Sequence, residues 1–174
     1  MRPCVFGRFV SIPLICAKPS SYIPEIYYSD KIYSIGEINM ITNRELTSEE
    51  KESLAKEVRQ FLLDNELWID VRVYFNGKAF GTGDGKGNFS YNNPDKLIVL
   101  EDINPRDYFE YVSDDDVMSM SFEGDFYGCL NFTNEYGVDF DNRIQMEFDG
   151  ILRKYGVYYE LGHAWNLSCY YSWR

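Results

Sequence analysis

An α+β domain, with antiparallel sheet backed by two main amphipathic helices, is the fold class this sequence predicts. Three observations carry it. Two segments, 47–65 and 139–155, place apolar residues at helical spacing behind a capping signal. Each is followed by a short turn and an aromatic hairpin, so that helix–hairpin units recur at 47–80 and 139–171. Finally, 45% of the 174 residues are apolar, among them 15 Tyr and 12 Phe, which suits a packed core built on strands. The pattern admits two small subdomains, 1–93 and 94–174 with Asn92-Asn-Pro94 at the boundary, or one continuous domain 1–174.

The elements follow in order. Residues 4–10 are β-prone between Pro3 and Pro13, which suggests an edge strand, because proline cannot donate to a ladder. A short strand is expected at 31–34. Thr47-Ser-Glu-Glu50 is a capping box, and Leu54, Val58, Phe61 and Leu62 form the stripe of a helix ending near Asn65. Residues 68–75 alternate as a strand, Asn76-Gly77 is a two-residue hairpin signal, and Lys78 to Phe80 return. The glycine-rich run 81–87 fails both phosphate-loop spacings and reads as a hairpin tip or linker. Leu97 to Glu101 is a continuous apolar run, expected as a central strand.

Asn104-Pro105 starts a short helix with Tyr108, Phe109 and Tyr111 as its apolar side. Met118 to Phe122 alternates as a strand, and Leu130 to Phe132 is expected to add another. Asp139 caps the second long helix, whose face is Phe140, Ile144, Phe148, Ile151, Leu152 and Tyr155. Gly150 inside it costs roughly 1 kcal/mol against alanine, which suggests close packing on the sheet. Gly156 stops the helix, and the last hairpin turns at Gly162-His163. Leu54, Val58, Phe61, Val71, Val73, Ile98, Leu100, Ile144, Phe148, Leu152 and Trp165 are the expected core.

Composition narrows function. Acids outnumber bases 28 to 17, a net charge of −11, which disfavours free nucleic acid as a partner and favours a basic protein. Cys4, Cys16, Cys129 and Cys169 have no zinc-site spacing. A reduced cytoplasmic setting is the simple reading, and spacing alone leaves a disulfide pair open. The start of the chain imitates a signal peptide, but its apolar run is short and broken by Pro13, so secretion is not expected. No run is long enough to span a bilayer.

His163, the single histidine, is expected as a turn residue tolerant of positive φ rather than part of a triad with Ser168 or Cys169. Asp114, Asp115 and Asp116 are consecutive and cannot all point at one ion, so no metal site and no cofactor is assigned. The surface signal is instead an interleaving of acids and rings: Tyr108, Tyr111, Asp114 to Asp116, Glu123 and Asp125. Carboxylates of such a face take the places of phosphates against Arg and Lys. The turn at Asn76, Gly77 and Lys78 is a second candidate contact, poised to enter a cleft. The alternatives are a metal-dependent nuclease or guide-trimming factor using Asp114, Glu123 and Asp125, and a structural or regulatory protein whose charge serves solubility.

Asn104-Pro-Arg-Asp-Tyr-Phe-Glu-Tyr111, Met118-Ser-Met-Ser-Phe-Glu-Gly124 and the segment from Tyr155 to Leu167 look like a domain of phage and mobile-element proteins of low-GC Gram-positive bacteria. With the acidic α+β character, the chain resembles anti-CRISPR proteins directed at type II effector nucleases, mainly over residues 104–171. The resemblance implies a non-enzymatic inhibitor in the bacterial cytoplasm. It would bind the nuclease or its guide-RNA complex and block a groove, prevent assembly or provoke guide loss. Those families share no common site, so the resemblance assigns no functional residue.

Overall fold

The computed structural model describes residues 44–112, 117–131 and 142–174. The expected strands at 4–10 and 31–34, the cap Asp139, Phe140 and the triple acid Asp114 to Asp116 lie outside the described residues. The fold is α+β: the described residues form three α-helices and one six-stranded antiparallel sheet. The first helix, α1 (Ser48–Asp64), begins at a complete capping box. Thr47 accepts from the Glu50 amide, and the Glu50 carboxylate accepts from the Thr47 amide. It ends at Asn65, as its sequence predicts.

The strands β1 (Val71–Phe75) and β2 (Lys78–Gly81) form the first hairpin. Asn76 and Gly77 both take positive φ, 49° and 72°, which is the backbone twist a tight hairpin turn demands. Next come β3 (Ile98–Leu100), a single 3-10 turn at Pro105–Asp107, and β4 (Ser119–Phe122). Then follow α2 (Asp125–Asn131), α3 (Asn142–Lys154), β5 (Val157–Leu161) and β6 (Asn166–Tyr171). The sheet order is β3-β2-β1-β4-β6-β5. The two hairpins are thus joined through β4, and strands from both sides of Pro94 bond in one sheet.

Alternation divides the sheet into two faces. Val71, Val73, Phe75, Phe80, Met120, Phe122, Leu167, Cys169 and Tyr171 point to one side and pack with α1, α2 and α3 into the main core. Phe148 sits at its middle, touching the rings of Phe61, Phe126 and Tyr159. Trp68 is fully buried just ahead of β1. The helices are also tied together by Glu57, which pairs with Lys154 and accepts from the Tyr155 hydroxyl at 3.2 Å.

Several expectations are corrected. The run at 97–101 is not central: β3 is a three-residue edge strand, with Leu97 and Val99 43% and 40% exposed. Continuous apolarity does not report how many neighbours a strand has. Leu130 belongs to α2 rather than to a strand, because Phe126 and Leu130 are spaced to bury one helical face. Gly150 approaches nothing, since a Cβ there would meet no atom within 4 Å. Leu100 and Trp165 are only partly buried, because they belong to a thinner layer on the opposite face. The other nine expected core residues are buried. No helix among the described residues is long and apolar enough to cross a membrane.

Candidate protein-binding face

The face of the sheet turned away from the helices carries the chain's unusual chemistry. The alternation that buries Val71 and Val73 sends Arg72 and Tyr74 to this side. Their register partners are small: Gly81 and Ser121 beside Arg72, Ala79 and Ser119 beside Tyr74. The aliphatic stem of Arg72 lies along Gly81, where a Cβ would stand 3.5 Å from Arg72 Cγ, in ordinary contact. The guanidinium reaches the Tyr108 ring, with Cζ 5.6 Å from its centroid.

Residues 105–112 lie across this face, pinned by Phe109, which is buried against Tyr74 and meets it edge-on at 5.7 Å. Ser168 Oγ donates to the Tyr111 carbonyl at 2.8 Å, a second anchor. Tyr108 and Tyr111 are 52% and 54% exposed, so the short helix expected here has one apolar anchor, not three. A single 3-10 turn cannot align residues 108, 109 and 111 on one side.

Ring contacts continue across the face. Phe109 meets Trp165 at 5.8 Å, Trp165 stacks on His163 at 5.6 Å and 13°, and His163 meets Tyr111 at 5.1 Å. His163 lies in the turn between β5 and β6, as expected, but does not use the positive φ that a turn residue there could have taken. The tight approach falls instead to Gly162, where a Cβ would stand 2.6 Å from Tyr111 Cβ. Ser168 and Cys169 form no triad with His163. Their side chains point to opposite faces of β6, Ser168 being tied to Ser119 and Tyr111. Cys169 is wholly buried in the main core, and burial pushes its thiol pKa up.

The loop after β2 forms one wall. Asp84 accepts from the amides of Lys86 and Asn88 and from the Asn88 side chain, which draws its carboxyl down to about 2. Gly85 and Gly87 take the positive φ values this turn requires. Farther on, the Phe89 and Tyr91 rings meet at a tilt with centroids 5.4 Å apart, and the Tyr91 hydroxyl donates to Asp70 at 2.7 Å, raising the tyrosine pKa. Arg59 fastens the same loop by donating to the carbonyls of Asn93, Pro94 and Lys96. Between these walls is an open groove of about 330 Å³, lined among others by Asp70, Arg72, Phe89, Tyr108, Glu123 and Trp165.

The structure therefore brings Tyr108 and Glu123 to one groove, with Tyr111 farther along the same face. Asp125 is exposed at the start of α2, two residues past Glu123. Asn76, Gly77 and Lys78 sit at the opposite end of β1, since Val71 pairs with Phe122 next to Glu123. That turn is docked on α1: Asn76 Nδ2 donates to the Ser48 carbonyl at 2.7 Å, and Lys78 pairs with Glu52 at 2.9 Å. It does not project as a finger.

Asp70, Arg72, Phe89 and Tyr91 were not singled out by sequence reasoning. Alternation in 71–75 could have placed Arg72 and Tyr74 on the second face. Nothing local signals that the loop 82–92 folds back to that same end of the sheet. Among the described residues, no three of His, Cys, Asp and Glu gather as a metal site. Comparison with known protein families, curated proteins and solved structures finds no match for this chain.

Proposed function

We propose that this protein is an acidic binding module that inhibits a basic, nucleic-acid-processing protein by docking on it. The partner implied by the resemblance is a CRISPR effector nuclease or its guide-RNA complex. One observation supports the reading above others. Phe89, Tyr91, Tyr108 and Tyr111, each more than 40% exposed, are held by ring, cation–π and hydrogen-bond contacts on one side of the sheet, amid Asp70, Asp107, Glu110 and Glu123. Rings already fixed in place lose little entropy on binding, which is the character of interface anchors. Carboxylates around them suit Arg and Lys of a phosphate-binding groove.

The test is capture from a lysate of a CRISPR-bearing Gram-positive bacterium, with bound protein and RNA both identified. An effector nuclease should be recovered, its affinity should fall as salt rises, and the Tyr108→Ala/Tyr111→Ala variant should bind at least about 10-fold more weakly. Recovery of no nucleic-acid enzyme from a lysate expressing one would end this reading. Intact guide RNA in the captured complex would mean blockade, and shortened guide would mean trimming.

A further inference from the structure

We infer that the groove between Arg72 and Glu123 binds an extended protein segment of mixed charge, a carboxylate two residues from a lysine or arginine. This rests on the docking function proposed above and names the partner's chemistry at one place. Three features of the groove argue for it.

First, Arg72 is half-buried, its stem lies over Gly81 and its guanidinium over Tyr108, yet among the described residues it forms no ion pair and no side-chain hydrogen bond. A guanidinium held only by a ring keeps its donor fork open for a carboxylate. Second, Asp70 and Glu123 line the same groove and, among the described residues, neither neutralises Arg72 or pairs with another cation. The groove thus presents both signs side by side. A free polyanion meets two carboxylates there, and a purely basic segment meets a cation. A segment carrying both charges meets neither penalty.

Third, the spacing fits extended chain. Arg72 pairs in register with Ser121, and Glu123 stands two residues farther along the neighbouring strand, a diagonal separation of about 7–8 Å from Arg72. Residues i and i+2 of a strand-like peptide are separated by nearly this distance and point the same way. Phe89 and Trp165 supply apolar contact at the groove walls.

The experiment is an NMR titration of the whole chain with three capped pentapeptides. All three carry lysine at both ends and phenylalanine at the second and fourth positions, and the centre is aspartate, asparagine or lysine. The aspartate peptide should shift the Arg72 Nε–H and the amides of Gly83, Ser121 and Glu123. It should also bind about 10-fold more tightly than the asparagine peptide, the worth of one charge-assisted hydrogen-bond pair.

In Arg72→Met that preference should vanish while the spectrum elsewhere is unchanged. In Glu123→Gln both peptides should weaken together. Equal or tighter binding of the lysine-centred peptide, displacement of the aspartate peptide by millimolar inorganic phosphate, or no shifts at the groove would each overturn the inference. Capture of the partner at undiminished affinity by Arg72→Met would remove this groove and leave the docking function standing.

Discussion

The two faces of the sheet are made by the same strands and solve opposite problems. The helix side is closed: Met120, Phe122 and Leu167 are each fully buried, and ring packs on ring from Phe61 through Phe148 to Phe126. Among the described residues, the other side has a hydrophobic cluster of three buried residues, Tyr74, Ala79 and Phe109. Beyond it lie exposed rings, unpaired charge and an open groove. Stability scales with apolar area removed from water, so it is concentrated on the first face. Recognition needs area still available to bury, which under the proposed function the second face offers. Substitutions should separate accordingly.

The largest effect is expected from Phe148→Ala, which empties the middle of the main core and should cost about 3–5 kcal/mol in urea unfolding. A loss below about 1 kcal/mol would show the core able to collapse around it, and the contrast between faces would weaken. Gly162→Ala, on the second face, forces Tyr111 and Asn166 apart. It should destabilise by about 1–3 kcal/mol and displace the 105–112 segment, visible as changed near-ultraviolet dichroism of the Tyr111–His163–Trp165 stack. Thr47→Ala removes half of the capping box and should cost about 1 kcal/mol without touching either face.

Smallest of the stability effects is Tyr108→Ala, at under about 1 kcal/mol, because the ring is half in solvent and has two weak partners, the Arg72 guanidinium and the tilted Tyr74 ring. The same change should nonetheless weaken partner binding markedly, and a larger effect on folding than on binding would invert the division proposed here.

Acid provides a further check, confined to the loop wall. Folded Asp84 holds its proton more weakly than the unfolded chain does, so what it contributes is complete above about pH 4. That contribution is lost as pH falls toward the folded value of about 2. Amide exchange at Lys86 and Asn88 should therefore accelerate over that interval while the amides of β1 stay protected. Loss of both together would show the loop and sheet to be one cooperative unit.

What the sequence determined by itself was the set of locally encoded elements. Thr47 and Glu50 cap a helix through groups three residues apart, Asn76-Gly77 closes a hairpin with its own backbone, and Gly156 at φ 69° ends α3. Such features need no distant partner, so they are legible from neighbours alone. The amphipathic stripes of α1 and α3 likewise identified the share of the main core that those two helices supply. Tertiary structure alone decided which strands became edges, because Leu97 to Glu101 carries no mark of how many strands flank it. It also decided the site. Arg72, Glu123, Phe89 and Tyr108 are far apart in sequence and meet only when β1 pairs with β4 while the loops after β2 and β3 fold over the same face. Their chemistry comes from what each side chain lacks as well as what it touches, and neither exists until the sheet is assembled.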